Sequence, residues 1–468
     1  MNKLKQTIKE NKENIILLLI IFSFFIVIFL NFYPGIFTYD SHIQWNEVIS
    51  NKITSSHPFL STYFILLISI IHKTTTPIIL FQIFVASITL MRVFKITRER
   101  NTNLYVEILL GLLISSIPII CIYNITLWKD ILYSYYLLNY GLYLYEWKNN
   151  NFYSKSHIYV IMGLLLFLIF NYRLNGIIVS LILLIITLII IIKNKLGKKV
   201  VLTLVLTFIF LNLILLIPKN YYLNKNTNKN NEVSIGTVNT YLKWIYGGYL
   251  NDKIVTQKKD LDFLNNIADI NEWKNNYNPY LINDTNLLNI NNEYLLNNQK
   301  KFRKIFIKCT LQNPTSFIKH YLKSDALLID PLSKGYIYVY EIQALSANNK
   351  IINKLYNKLI TISITNKYIA LLHKPANILY LCILLVIILN KIEKTKKYWL
   401  AILPMLANTL SLLPINIAQD LRYVYINYIT LVFVVMIVIN KLIARRYNNE
   451  NTTNNSFIQR RKKYIKSL

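Results

Sequence analysis

The chain has 468 residues, of which 54% are apolar, and its mean hydropathy is +0.36. Several apolar runs approach the length that crosses a bilayer, which excludes an ordinary soluble domain and points to a membrane protein. The net charge of +30 fits Lys and Arg gathered on the cytoplasmic flank of membrane helices, so no nucleic-acid partner is expected. The three cysteines have no paired spacing, which argues against a disulfide framework or a zinc site.

In chain order, four lysines precede the first apolar run, Ile15–Phe32. No small-residue cleavage site follows, so the run reads as a retained signal-anchor helix. Further runs are Phe59–Ile71, Pro77–Met91, Leu104–Tyr123, Ile131–Tyr145, Ile158–Phe170, Ile177–Ile192, Val200–Ile217, Ala376–Leu389, Trp399–Ile417 and Val424–Ile439. If Phe59–Ile71 lies at the outer face instead of crossing, every basic cluster falls on one side. These clusters are the N-terminus, Arg92–Arg100, Lys148 with Lys155, Lys193–Lys199, Lys391–Lys397 and the tail from Lys441 to Lys466. They hold half of the 52 Lys and Arg. The short outer segments hold only Lys52, Lys73, Lys129, Arg173 and Arg422. By the positive-inside rule this arrangement is preferred. The expected fold class is an all-α polytopic membrane protein. It has about ten transmembrane helices, an outer-face juxtamembrane helix and a mainly helical extracytoplasmic domain. Both termini are cytoplasmic in the cell membrane.

Four expected units follow: a transmembrane module 1–217 with its first outer loop at 33–58, an extracytoplasmic domain 218–375, C-terminal membrane helices 376–440, and a basic cytoplasmic tail 441–468. In the extracytoplasmic region, Phe302, Ile305, Phe306 and Cys309 have helical spacing. Asn313 before Pro314 marks a helix start. Trp244, Tyr246, Tyr249 and Trp273 read as the core of that domain rather than as sugar-stacking groups, and "YGGY" (Tyr246–Tyr249) reads as a turn.

With this topology the unusual polar groups share the outer face. Asp40, Ser41, His42, Gln44 and His57 follow the first run. Trp128, Lys129 and Asp130 sit at the outer end of the third crossing, Asn171–Gly176 ("NYRLNG") between the fifth and sixth, and Gln419–Tyr423 ("QDLRY") between the last two. Singly, each is accounted for as an interfacial anchor or a local ion pair. Together, four outer loops with a carboxylate or guanidinium suggest one site, because charges at such depths are costly. Lys129, Arg173 and Arg422 are cations suited to a phosphate. Asp40 is a carboxylate able to take a proton or bind a metal. Asp130 and Asp420 sit beside cations in sequence. His42 and His57 are able to serve a phosphate or an acceptor, and His57 before Pro58 equally suits a helix start. The chemistry implied is an anionic lipid head group meeting a carboxylate at the membrane edge.

The combination "YPG…DS…Q…HP…WKD…RLNG…DLRY" resembles the GT-C superfamily of multi-pass glycosyltransferases, and within it an uncharacterised family of bacterial and archaeal membrane proteins. The resemblance covers roughly the first 180 residues and the last membrane pair. It implies transfer of a sugar from a polyprenyl-phosphate donor to an extracytoplasmic glycan, lipid or protein acceptor, with inversion. It implies catalytic roles for Asp40, as general base, and Asp130. It implies phosphate binding by Lys129, Arg173 and Arg422, and substrate contacts from His42, Gln44, His57, Asn175 and Asp420. The first loop has Asp-Ser where the superfamily often has Asp-Glu, and the second loop lacks a DxD. The divalent cation, Mg or Mn, is thus left open, with Asp40 and Asp130 as its ligands if one binds.

Other functions leave different marks. A transporter or flippase is expected to show charged or Gly/Pro-broken helices at the midplane in paired halves, and the helix interiors here are plain Ile and Leu. A phosphoethanolamine-type transferase needs a nucleophile beside a His/Asp metal cluster, and residues 218–375 have only His320 and His373. A lipid-linked glycan ligase also wants outer-face cations and remains an alternative, as does a non-catalytic assembly protein.

Overall fold

The computed structural model describes residues 2–54, 57–98, 103–147, 156–226, 237–332, 365–414 and 418–443, with 354, 358, 361, 362 and 416. Among them the chain is helical, and the only extended pairing is a parallel bridge between Ile36 and Thr126. The N-terminal part holds α1 (Asn2–Asn31), α2 (Tyr39–Ile49), α3 (Phe59–Ile71), α4 (Thr76–Thr97), α5 (Leu104–Ser116), α6 (Pro118–Asn124), α7 (Lys129–Trp147), α8 (Ser156–Tyr172), α9 (Gly176–Lys193) and α10 (Lys198–Asn226). A second domain holds α11 (Thr237–Asn251), α12 (Lys258–Asn265), α13 (Ile270–Asn275), α14 (Asn292–Asn297), α15 (Gln299–Gln312), α16 (Pro314–Ser324) and α17 (Ala326–Ile329). The chain then returns through α18 (Lys367–Leu372), α19 (Pro375–Ile392), α20 (Lys397–Leu412) and α21 (Leu421–Ile443), whose first turn is a 3-10 turn.

Among the described residues, six helices are long and apolar enough to cross a membrane: α1, α4, α9, α10, α19 and α21. A seventh crossing results if α5 and α6 count together. The remaining expected crossings fall short on length or polarity. α8 has 17 residues and α20 has 16, while α7 carries Lys129, Asp130 and Glu146. All three nonetheless contribute to one buried core with the longer helices. α9 shows why such a helix belongs in lipid. Val179, Leu183 and Ile191 are buried on one side, while Ile177, Leu181, Ile185 and Ile189 are exposed on the other. A helix apolar all round has no face for water.

The expected single helix over Leu104–Tyr123 is broken. α5 and α6 meet at 75°, because Pro118 has no amide proton to donate and holds Ile117 in an extended conformation (φ −57°, ψ 123°). Every residue of α6 after Pro118 is buried. Gln82 of α4 secures the turn beyond it, its amide nitrogen lying within 3.1 Å of the Tyr123, Asn124 and Thr126 carbonyls.

The bundle has two chemically distinct ends. At one, Arg98 forms a two-pronged ion pair with Glu107 and reaches Glu13 at 3.4 Å, while Arg92 pairs with Glu146 at 2.6 Å. Arg100, Lys148, Lys155 and the tail beyond Ile443 lie outside the described residues. At the other end α3 begins just after His57, which lies 3.3 Å from Lys129. It ends shortly before Thr75, whose hydroxyl donates to the Pro34 carbonyl at 3.4 Å. Both ends of α3 therefore lie on the loop side of the bundle.

The second domain has its own core, in which Trp244, Tyr246, Tyr249 and Trp273 are almost fully buried with Phe302, Ile305 and Cys309. "YGGY" is not a turn: it lies inside α11. Its glycines admit close neighbours, since a Cβ at Gly247 would sit 2.9 Å from the Trp273 carbonyl and one at Gly248 2.9 Å from His320 Nε2. Asn313 does precede α16, with Pro314 in its first turn. Part of the region expected to be helical, 333–353, lies outside the described residues.

Candidate functional site

The site is assembled by a splice between two loops. After α1 the chain turns at Gly35, whose φ of +111° suits only glycine and where a Cβ would collide with Ile79. Ile36 then pairs with the chain leaving α6: its amide donates to the Ile125 carbonyl and its carbonyl accepts from Leu127, both at 2.9 Å. Thr38 follows in extended conformation before α2. Its hydroxyl accepts from the Trp128 indole at 2.5 Å and pairs with Ser41 at 3.0 Å, and Ser41 donates to the Leu127 carbonyl. Ser41 of the Asp-Ser pair is thus a structural fastener, and the fastening sets Asp40 over the start of α7.

Around Asp40 the four loops converge. Arg422 Nη1 lies 2.7 Å from Asp40 Oδ2, and Lys129 Nζ lies 3.8 Å from the same oxygen. Arg422 Nε contacts Asp420 Oδ2 at 2.7 Å and faces Asp130 Oδ2 at 3.9 Å. Arg173 Nε contacts Asp130 Oδ1 at 2.9 Å. Asp130, the sequence neighbour of Lys129, is held by the arginines of two other loops. Its side chain is 1% exposed against 28% for Asp40. Despite the ionic contact, no hydrogen bond of acceptable geometry reaches either Asp130 oxygen among the described residues. Asp40 is the carboxylate that solvent or a ligand reaches first.

A polar layer supports the arginines from below. The Tyr423 carbonyl accepts from Arg173 and from Asn408, each at 3.1 Å. Asn408 Oδ1 accepts from Tyr133 at 3.2 Å and from Asn175 at 3.0 Å, and Asn175 also donates to Ser411 at 2.9 Å. Tyr423 and Tyr133 flank Arg173, and Trp128 and Tyr423 flank Arg422, which holds the guanidinium planes in place. Among the candidate residues, Lys129, Asp130, Arg173, Asp420, Arg422 and His57 thus gather with Asp40. Asn175 lies one layer beneath. Gln44 does not join them: it is buried, donating to Ser61 and Thr62 at 3.1 Å, and packs α2 on α3. His42 is exposed, with its ring 5.1 Å from that of Phe37. The sequence reading missed Asn408, Thr38 and Tyr133. An asparagine inside an apolar run was the signal for the first, because such a group needs partners in lipid.

The cluster counts three carboxylates and three cations, so it is close to neutral. Burial favours the protonated form of Asp40, but Arg422 and Lys129 outweigh it and hold the carboxyl below the usual carboxylate range. Burial, aided by the Lys129 charge, holds His57 below its ordinary value, so the ring is neutral at pH 7. An ammonium only donates, so His57 Nδ1 accepts from Lys129 and the ring proton is assigned to Nε2. That nitrogen is buried with no hydrogen-bond partner among the described residues. The donor set does not fit a divalent cation. Asp40 and Asp130 each already face an arginine, and no group of three His, Cys, Asp or Glu among the described residues is placed to hold a metal. Lys129 is the most loosely held cation, 3.8 Å from its carboxylate, and the one able to turn toward an incoming anion.

A scan against protein-family models finds no match, and neither the curated proteins nor the solved structures contain one.

Proposed function

We propose that the protein is a membrane glycosyltransferase that moves a sugar from a polyprenyl-phosphate donor to an acceptor hydroxyl at the loop end of the bundle. The observation that carries this reading is the convergence of Asp40, Lys129, Asp130, Arg173, Asp420 and Arg422 from four loops beside a second, polar domain. In this reading the chain crosses the membrane ten times, α3 lies at the outer face, and the loop end is extracytoplasmic. The Lys and Arg gathered at the opposite end support that orientation.

Asp40 Oδ2 is engaged by Arg422 and Lys129, which leaves Oδ1 to take the proton from the acceptor hydroxyl. The acceptor oxygen bonds to the anomeric carbon as the carbon–oxygen bond to phosphate breaks. The electron pair leaves with the phosphate oxygen, where Lys129 meets the new charge. Stabilising charge that develops in the transition state is usually the largest catalytic effect. Arg173 and Arg422 act less as phosphate ligands than as the frame that pairs with Asp130 and Asp420 and keeps Asp40 aimed.

The test is turnover of a panel of radiolabelled polyprenyl-phosphate sugars by protein reconstituted in lipid with membrane acceptors, for wild type and Asp40→Asn. Transfer by wild type that disappears in the variant supports the reading. Equal rates in both remove Asp40 as the base, and absence of both turnover and donor binding removes the transferase. Transfer of a complete glycan in place of one sugar identifies the ligase.

A further inference from the structure

The stretch from Gln299 to Ser324, which forms α15 and α16, carries seven Lys and Arg and no Asp or Glu. Both helices bury one side against α11: Phe302, Ile305 and Cys309 enter the core of the second domain, and His320 lies against Gly248. Their other sides are exposed, and those sides are not uniformly polar. On α15, Lys300, Lys304, Ile307 and Leu311 share one exposed face. On α16, Pro314, Ile318 and Leu322 form an exposed stripe, with Ile318 53% and Leu322 48% exposed. Lys319 flanks the stripe, its Nζ 3.5 Å from Asp252, and Lys323 lies one turn on. A single apolar residue on a surface is ordinary. A helix whose free side is apolar and edged by cations has the pattern of one that lies in a bilayer interface.

The place of α16 in the fold says what covers that side. Tyr321 of α16 donates to the Leu413 carbonyl at the loop end of α20, at 2.7 Å. α17 follows and is bonded to α19: Tyr380 donates to the Ile329 carbonyl at 2.6 Å, and Asn377 to the Pro331 carbonyl at 3.2 Å. Tyr380 belongs to the exposed stripe Tyr380, Leu384, Ile387 and Ile388 of α19. α19 is long and apolar enough to cross a membrane, so that stripe belongs against lipid, and a tyrosine at its loop end marks the level of the head groups. α16 runs into α17 at this level. Leu332, three residues past Ile329, is exposed there as well.

We propose that α16, with the last turn of α15, lies on the anionic phospholipid surface that borders the loop end of the bundle. Ile318 and Leu322 enter the head-group region, and Lys319 and Lys323 hold their ammonium groups at the lipid phosphates. Lysine suits this place because its stem covers apolar surface while its charge stays at the polar level. Each cation beside an anionic surface favours the docked state about fivefold. The second domain then stands on two supports, its bonds to α19 and α20 and the lipid itself. This docking is independent of the transferase reading, since its readout requires no donor.

The experiment places a nitroxide at Ile318→Cys and, separately, at Leu322→Cys of the full-length protein, in nanodiscs with and without phosphatidylglycerol. Both side chains are about half exposed, so their replacement leaves the core intact, and the three native cysteines are buried. Collisions with oxygen, which partitions into lipid, are compared with collisions with a water-soluble nickel chelate. Both labels are expected to favour oxygen when anionic lipid is present, and Lys319→Gln with Lys323→Gln is expected to shift the ratio toward the chelate. A ratio dominated by the chelate at both positions overturns the proposal. A label shielded from both reagents also overturns it, because protein then covers the face. A ratio indifferent to lipid charge and to the two lysines overturns the assignment to anionic head groups.

Discussion

Arg422 and Asp40 meet at 2.7 Å, joining the start of the last membrane helix to the first loop of the chain. The same guanidinium touches Asp420 and faces Asp130. One side chain therefore neutralises carboxylates from three loops, and the cluster is incomplete until the final helix has folded in.

Removing that guanidinium leaves buried charge without a partner. Arg422→Gln is expected to destabilise the protein by about 3–5 kcal/mol, the usual cost of breaking a buried pair. Adding Asp420→Asn should recover part of the loss by removing one orphaned carboxylate. Thermal unfolding in detergent reads both, and an unchanged melting temperature in Arg422→Gln contradicts the bridging role. Arg422→Lys should also lose stability, because a point charge cannot serve the separate directions that the planar fork reaches.

Asp40 is the contrasting case. Its side chain is 28% exposed, so Asp40→Asn is expected to cost no more than about 1 kcal/mol, in the range of partly exposed pairs. Turnover should be lost while the fold is kept. A variant that unfolds as far as Arg422→Gln does would show Asp40 to be structural.

His57 sets an acid-side dependence. Its folded value lies below the ordinary 6.5, so the unfolded chain binds the proton more readily. Stability should fall as pH drops below 6.5 and flatten once the folded form also protonates. Asp40 acts in the same sense at lower pH: its folded value lies below 3.8, so the stability it contributes is present above that value and lost only in stronger acid. Melting temperatures across pH for wild type and His57→Asn separate the two, since only the limb just below 6.5 should vanish in the variant.

In the second domain His320 bridges Tyr277 and Asp252, with its Nε2 3.1 Å from the Asp252 carboxylate, and packs on Gly248. A methyl at Gly248 would come 2.9 Å from that nitrogen. Gly248→Ala is thus expected to cost about 1–3 kcal/mol through overpacking. Circular dichroism melts of the full chain provide the check, and a stable Gly248→Ala would mean that α11 and α16 separate more easily than their packing suggests.

Two helices of the bundle meet with similar closeness. A Cβ at Gly141 of α7 would lie 2.6 Å from the Ala401 carbonyl of α20. Small residues allow such approaches in membranes, where packing rather than hydrophobicity drives helix association. Gly141→Ala should lower thermal stability, and Gly141→Leu should prevent the folded state from accumulating. Size-exclusion profiles in detergent distinguish the two outcomes.

Composition and the spacing of apolar runs were enough to locate the helices that are long and apolar enough to cross a membrane, because Ile- and Leu-rich segments of bilayer length have few other stable environments. The bend at Pro118 was also written locally, since proline acts on its own neighbours, although its angle was not. The polar residues of four loops were visible as unusual groups, and their separation in sequence said nothing of who touches whom. Asp130 illustrates the limit: beside Lys129 in the chain, it is held by Arg173 and Arg422 because α7, α8 and α21 end at the same point in space. Gln44 fails in the opposite direction, as its polar side chain looked free until α3 packed against it. Ion pairing and burial depend on the whole bundle's closure, so the partners of Asp40 were decided by tertiary structure alone.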